Sequence, residues 1–200
     1  RDYMWRRCDF AAKLVAIRYD TNKSAGYPDG KQARSWGRTN GGAIPTGPAA
    51  ILSIMTPVAQ QVEWLARQEV NYLITYPSNL EAMLRHCREK KIRFPTLREV
   101  QTMSELLNPA TRELCSEVWG VPISDMYTCQ EAGYIALQCP GHEHYHAQSE
   151  NMIVEVLNKD GSPSQPGETG KIVVSHLHNY ASPLIRYDIG DFAEVGEPCP

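Results

Sequence analysis

The fold class follows from residues 72–90, which read YLITYPSNLEAMLRHCREK. Tyr72–Thr75 is a short apolar run of the kind that forms a buried strand. Ser78 then offers an N-cap for a helix, and charged residues occupy one side of that helix. The opposite, apolar side comprises Leu80, Met83, Leu84 and Cys87. A strand followed at once by a helix is the repeating unit of α/β folds.

The same alternation continues on both sides of this stretch. Pro57 suits a first helical turn and predicts a helix from Thr56 onward. Asn108-Pro109, a cap followed by a first helical position, predicts another helix that ends at Gly120. Residues 19–50 are rich in Gly, Pro, Asn and Ser and predict a long loop. Together these patterns predict a doubly wound α/β layer with a mostly parallel sheet.

After residue 130 the helical period disappears. Strands are predicted at Tyr134–Leu137, Met152–Leu157 and Lys171–Ser175, and the residues after Leu157, Asn-Lys-Asp-Gly, predict a turn. We therefore predict an α/β fold in which residues 1–130 form a partial doubly wound α/β subdomain. Residues 131–200 are expected to form a β-rich subdomain.

Composition excludes several classes of function. The formal net charge of -3 and the lack of a Lys/Arg stripe argue against nucleic-acid binding. No apolar run is long enough to span a bilayer, so no membrane partner is expected. Six cysteines without a secretory signal predict a reducing, cytoplasmic location and no disulfide framework.

Two acidic motifs carry the candidate chemistry. The first is Tyr127-Thr128-Cys129-Gln130-Glu131, and the second is Leu-Ile-Arg-Tyr-Asp-Ile-Gly-Asp, which ends at Asp191. A carboxylate such as Glu131 is a ligand that Mg²⁺ accepts, and Asp191 can accept two hydrogen bonds from a ribose diol. The alternative for each acid is an exposed turn residue without a ligand.

These motifs resemble those of the adenylate-forming superfamily, and within it the phenylacetate–CoA ligase branch with its coenzyme F390 synthetase-like subgroup. The resemblance runs from about Leu73 to Cys199. It includes Tyr76-Pro77-Ser78, the turn at Ser104-Glu105 and the segment Gly167–Val174. It implies an ATP-dependent acid–CoA ligase that makes an acyl-AMP and passes the acyl group to CoA.

The resemblance also implies roles for individual residues. Tyr127 would lie against adenine, Asp191 would bind the ribose, and Glu131 would be the catalytic residue that holds Mg²⁺. The other implied contacts are Thr128, Ser104 and Glu105 for the nucleotide, and Tyr76, Ala132 and Gly133 for the carboxylic acid. The implied partners are ATP, CoA and a small carboxylic acid, with aryl acids as candidates; a homodimer is also a candidate arrangement.

The sequence departs from the family pattern in places. Thr128 replaces a glycine, Gln130 replaces Thr/Ser, and Asp188-Ile189 replaces Arg-Thr. The family's phosphate loop and C-terminal lid domain with its lysine are not among these residues. We therefore expect the chain alone to be inactive in adenylation.

A cysteine- and histidine-rich segment, residues 139–146, suggests a second site. Thiolates and imidazoles are the ligands of tetrahedral zinc. The resemblance implies structural Zn²⁺ on Cys139, His146 and Cys199, with a fourth ligand after Pro200; another histidine of the segment could stand in. The alternative is a solvated histidine-rich hairpin.

Two further functions remain open at this point. One is an adenylate-forming enzyme whose acceptor is not CoA, as in F390 synthetase-like proteins. The other is a non-catalytic, zinc-stapled relative, which the substitutions at Thr128, Gln130 and Asp188-Ile189 would favour.

Overall fold

The structure is a computed structural model that describes residues 2–37 and 44–199. The chain divides into two units, Arg1–Asp125 and Met126–Pro200. A parallel sheet forms the centre of the first unit. Its strands are β1 (Leu14–Arg18), β2 (Lys31–Ala33), β3 (Ala49–Ser53), β4 (Tyr72–Thr75) and β5 (Glu99–Met103). They are ordered β2-β3-β1-β4-β5, followed by β6 (Ile123–Cys129), which begins in this unit and ends in the next. All pairings from β3 through β5 are parallel, and β2 is an antiparallel edge strand.

The helices of this unit are α1 (Asp2–Trp5), α2 (Val58–Ala66), α3 (Pro77–Lys90) and α4 (Pro109–Trp119). The apolar stripe predicted for α3 is fully buried and packs in one core with the inner residues of the strands. The α4 prediction is confirmed at both ends: the Asn108 side chain accepts a hydrogen bond from the Ala110 amide, and Gly120 closes the helix with φ +71°. Alternating strands and helices around a parallel sheet confirm the α/β fold class.

Two local predictions need correction. The α3 helix begins at Pro77 with Tyr76 as N-cap, so Ser78 lies inside the first turn. The segment 19–50, part of which (residues 38–43) lies outside the described residues, is not only a loop, because it contains β2 and the start of β3. The three residues of β2 are all exposed, so no apolar alternation marked the strand in the sequence.

The second unit is entirely β in its described part. The end of β6 pairs antiparallel with β7 (Gly133–Gln138), which pairs with β8 (Tyr145–Ala147). A separate antiparallel sheet has the order β11-β10-β9, with β9 at Met152–Leu157, β10 at Thr169–His176 and β11 at Tyr187–Glu194. The unit's core consists of Ala132, Ile135, Met152, Ile172 and Val174. Across the described residues, no helix is both long and apolar enough to cross a membrane.

Candidate functional site

The two acidic motifs meet in the second unit. The Tyr127 hydroxyl donates a 2.6 Å hydrogen bond to Oδ2 of Asp191, although the two residues are 64 positions apart. Burial raises the pKa of Tyr127, and the bond to the Asp191 carboxylate raises it further, so the phenol stays protonated and acts as the donor. The Tyr127 ring packs against the core of the unit, whereas Asp191 is exposed. A flat aromatic ring and an accessible carboxylate therefore lie side by side.

A β-bulge places Asp191. Lys171 on β10 pairs with Phe192, and Val173 pairs with Asp188, so residues 189–191 of β11 face Ile172 alone. Gly190 in this bulge has φ +84°, a conformation that favours glycine. Bulges re-aim side chains and are frequent beside active sites. The backbone conformation of the bulge thus favours the glycine of the Gly190-Asp191 pair.

Asp188, one of the departures from the family pattern, stabilises this bulge. Its Oδ1 accepts a 3.0 Å hydrogen bond from the Gly190 amide, and its Oδ2 accepts a 2.8 Å bond from Lys171 Nζ. The hydrogen bond from Lys171, followed by that from the Gly190 amide, lowers the pKa of Asp188 below its usual value. Asp188 therefore has a local structural role at the bulge.

Glu131 lies at the tip of the β6–β7 hairpin. Cys129 pairs with Gly133, which leaves a three-residue loop, and Gly133 has φ +72°, the arrangement expected of a short hairpin with a glycine bulge. Glu131 is exposed, whereas Ala132 is buried in the core. Thr128 does not adopt a positive φ, so its backbone conformation does not call for a glycine.

A second group of predicted residues lies in the first unit. Oε2 of Glu105 accepts a 2.9 Å bond from the Ser78 amide and Oε1 accepts a 3.0 Å bond from the Ser78 hydroxyl, so Glu105 satisfies the first turn of α3. Ser104, just before it, has φ +65°. A cavity of about 420 Å³ borders this turn. Its lining residues are Tyr19, Ile54, Tyr76, Ser78, Asn79, Ala82 and Glu105.

The cysteine- and histidine-rich segment also forms a cluster in the second unit. One potential ligand atom from each of Cys139, His144, His146 and Cys199 lies within 4.8 Å of all the others. The Cys139 and Cys199 Sγ atoms are 3.9 Å apart, and both residues are free thiols. The three residues named from the sequence are therefore brought together, and His144 joins them. His142 does not belong to the cluster.

Two contributors were not among the site residues selected from the sequence. His144 was considered only as one of the histidines that could stand in, because its closeness to Cys199 depends on the path of the chain after β11. Its only sequence signal was its position two residues before His146, which places both on one face of a strand. Lys171 was treated as part of a strand and of the segment Gly167–Val174, without a role of its own. The acidic residue at position 188 was a signal that a cation such as Lys171 would pair with it.

Comparison with known proteins identifies the fold. No protein-family model and no curated protein sequence matches the chain. Among solved structures, 2-hydroxyisobutyryl-CoA ligase in complex with 2-HIB-AMP has a TM-score of 0.76 and 17% identity, covering 97% of this chain and 41% of that one. VinN has a TM-score of 0.63 and 19% identity, covering 94% and 49%. The anthranilate CoA ligase AuaEII, in complex with anthranoyl-AMP, has a TM-score of 0.61 and 18% identity, covering 84% and 32%.

At these identities the likeness shows the fold, which acyl- and aryl-CoA ligases share. The chain spans less than half the length of each of these three proteins.

Proposed function

We propose that this chain is the central part of an ATP-dependent, AMP-forming acid–CoA ligase. The observation that carries the proposal is the contact between Tyr127 and Asp191, on a fold shared with enzymes whose complexes contain an acyl-AMP. The full reaction would begin when a carboxylate oxygen attacks the α-phosphorus of ATP and pyrophosphate leaves. The CoA sulfur would then attack the acyl carbon, and AMP would leave with the electron pair of the broken C–O bond.

In this proposal the residues of the second unit bind and orient the nucleotide. The Tyr127 ring offers adenine a flat face that is already ordered by the core. One oxygen of Asp191 is held by Tyr127, and a carboxylate has about four acceptor positions, so acceptors remain for a ribose diol. Thr128 would lie beside the phosphates. Mg²⁺, held by Glu131, would supply charge neutralisation at the phosphate oxygens.

Roles are also proposed for residues of the first unit. Ser104 and Glu105 form the turn assigned to adenine, and the bonds from Ser78 hold that turn in place. Tyr76, which borders the cavity beside this turn, is proposed to contact the acid. Ala132 and Gly133 of the second unit are separately proposed as contacts of the acid. Adenylation depends mostly on positioning and on charge stabilisation at phosphorus, so fixed turns of this kind are suited to it.

The finer identity rests on fewer observations. We propose the phenylacetate–CoA ligase branch because the Cys139, His146 and Cys199 ligands expected there lie together. CoA is proposed as the acceptor over a non-CoA acceptor because two of the structural neighbours are CoA ligases. An aryl acid substrate, a homodimer and a cytoplasmic location remain predictions.

We also propose that the metal at this cluster is Zn²⁺ with a structural role. The cluster lies beyond Gln138, whereas Glu131 precedes Gly133, so the whole of β7 separates them. Five residue steps along an antiparallel strand correspond to about 17 Å. Thiolate and imidazole ligands together favour tetrahedral zinc, and a metal so far from Glu131 would not take part in the chemistry there.

Ligand binding tests the nucleotide proposal on the chain itself. We expect AMP to bind, and 2′,3′-dideoxy-AMP to bind at least about tenfold more weakly. The dideoxy compound lacks the two hydroxyls, and therefore the charge-assisted hydrogen bonds to Asp191 that are worth about 1.5–3 kcal/mol each. Asp191→Ala should remove the difference between the two ligands. Equal affinity of the wild-type chain for both, measured by isothermal titration calorimetry, would contradict the assignment of Asp191.

Activity provides the second test. The complete protein should catalyse acid-dependent exchange of pyrophosphate into ATP with one member of a panel of aryl and aliphatic acids. Glu131→Ala should reduce this exchange, and the 200-residue chain alone should show none. Exchange that survives Glu131→Ala unchanged would exclude Glu131 as the magnesium ligand.

A further inference from the structure

Asn79, in the first turn of α3, is a buried polar residue that lines the cavity of about 420 Å³ in the first unit. Only 9% of its surface is exposed. Its Nδ2 donates 2.9 Å hydrogen bonds to Oε1 of Gln61 and to Oγ1 of Thr75, and both of these residues are buried. The two hydrogens of the Asn79 amide are therefore used by the interior of the unit.

Gln61 fixes the orientation of this amide. Its Nε2 donates hydrogen bonds to the backbone carbonyls of Ile54 and Thr56, at 3.3 and 2.7 Å. Oε1 of Gln61 is therefore the atom that faces Asn79, and an oxygen in that position requires a donor. A flipped Asn79 amide would set its oxygen against the Gln61 oxygen. The hydrogen-bond network thus assigns the nitrogen and the oxygen of Asn79 without ambiguity.

The Asn79 oxygen is the polar atom that this arrangement leaves for the cavity. Within residues 2–37 and 44–199, no group donates a hydrogen bond to Oδ1 of Asn79. The oxygen is not sealed inside the core either, because Asn79 belongs to the cavity lining. A largely buried acceptor without a donor is unfavourable, so the cavity is suited to a molecule that brings a donor to this oxygen.

The other polar groups of the lining favour a neutral group in the cavity. The Tyr76 hydroxyl accepts a 3.3 Å hydrogen bond from the Tyr19 amide, so its own hydrogen can be donated to a ligand oxygen. The Ser78 hydroxyl donates to Glu105, which already supplies the negative charge that the N-terminus of α3 favours. A carboxylate inside the cavity would be repelled by Glu105. The carboxylate of an acid would therefore stay outside, and its other end would enter.

We propose that the cavity holds the end of the acid opposite its carboxylate, and that Asn79 selects an acid with a hydroxyl or a neutral amino group there. This rests on the proposed function, which places the acid at Tyr76. Ile54, Ala82 and the two tyrosines would surround the carbon skeleton, and Oδ1 of Asn79 would accept the hydrogen bond from the substituent. Asn79 would determine specificity and would have no part in the bond-making steps.

Matched acids test this selection on the unaltered protein. Pyrophosphate exchange by the complete protein is measured with the 3- and 4-hydroxy-, amino- and methyl-substituted phenylacetates, and with 6-hydroxyhexanoate against heptanoate. A methyl group is close in size to a hydroxyl or an amino group but donates no hydrogen bond. A site built to bind a hydroxyl discriminates strongly against the analogue that lacks it. In at least one pair, kcat/KM should therefore be at least about tenfold higher for the acid with the donor.

Three variants of α3 separate Asn79 from the rest of the cavity. Asn79→Leu keeps the approximate size but removes the oxygen, so the preference for the donor should disappear. Ala82→Leu narrows the cavity and should lower kcat/KM for all the acids together. Glu89→Ala, at an exposed position of the same helix, should match the wild type. Tryptophan fluorescence checks folding, because all four tryptophans lie in the first unit.

Three results would overturn the selection by Asn79 and leave the ligase proposal intact. The first is exchange with equal kcat/KM for the members of every pair. The second is a preference for the donor that survives Asn79→Leu, since another group would then recognise it. The third is an Ala82→Leu variant as active as the wild type, because the acid would then lie outside the cavity. If Asn79→Leu does not fold, the first and third comparisons still decide.

The absence of exchange with every acid would instead overturn the ligase proposal. Binding of the same acids to the 200-residue chain, followed by the NMR chemical shifts of the α3 amides, then decides the inference about Asn79. Shifts that change with the hydroxy or amino acids and not with their methyl counterparts would support it. Any other pattern would overturn it.

Discussion

Gly190 determines where the Asp191 carboxylate points, and its replacement is the sharpest test of the bulge. A side chain at φ +84° costs an L-residue about 1–2 kcal/mol. A Cβ at Gly190 would meet no heavy atom within 4 Å, so no steric clash adds to this cost. We expect Gly190→Ala to lower the free energy of unfolding of the second unit by about 1–2 kcal/mol. Gly190→Asn should cost less, because asparagine tolerates positive φ.

The assay must follow the second unit. All four tryptophans lie in the first unit, so tryptophan fluorescence reports on that unit. Hydrogen exchange of the β10 amides in urea follows the second unit directly. Gly196→Ala is the control, since Gly196 also has open space but no positive φ, and it should have no measurable effect. A Gly190→Ala variant as stable as Gly196→Ala would refute the assigned backbone strain.

Two further predictions concern the partners of this bulge. Tyr127→Phe keeps the ring but removes the hydroxyl bonded to Asp191, so AMP affinity should fall by up to about tenfold, less than in Asp191→Ala; tighter AMP binding in titration calorimetry would mean that the hydroxyl competes with ribose. Because the pKa of Asp188 is lowered, its contribution to stability is present above the ordinary pKa of Asp and is lost as the pH falls through the lowered value. Lys171→Met should therefore reduce the loss of stability between about pH 5 and pH 3 in urea unfolding, whereas the exposed control Lys159→Met should leave it unchanged.

The predictable parts of the fold are those that local rules determine. The α4 helix was located at both ends because a capping side chain and a left-handed glycine act on their immediate neighbours. The β4–α3 unit was located because the apolar residues of the strand form a short continuous run and those of the helix recur at helical spacing. The Tyr127 and Asp191 motifs were located because their residue types resemble those of a known family, but their direct hydrogen bond was not predicted.

The missed elements lack such local signals. Strand β5 contains Gln101 and Thr102, which are buried although polar, and Thr102 donates a hydrogen bond to Asp125. Strand β11 is almost entirely exposed, so apolar alternation could not mark it. His144 could be recognised as a candidate ligand only when Cys199, 55 positions away, was placed beside it. In each of these cases the structure depends on contacts between residues that are far apart in the sequence.

In the second unit, the same two stretches of chain contain the residues proposed to bind the nucleotide and the residues proposed to bind the metal. From Tyr127 the chain runs through the β6–β7 hairpin to Cys139, and from Asp191 it runs to Cys199, so the proposed metal would join the two branches at their far ends. Closing a loop of 60 residues costs an unrestrained chain about 4 kcal/mol of entropy. The Tyr127–Asp191 hydrogen bond, worth about 1.5–3 kcal/mol, is smaller than this cost, so the pairing of β11 with β10 is what keeps Asp191 beside Tyr127. Zinc at the proposed site would add a second restraint, on the segments that follow β7 and β11.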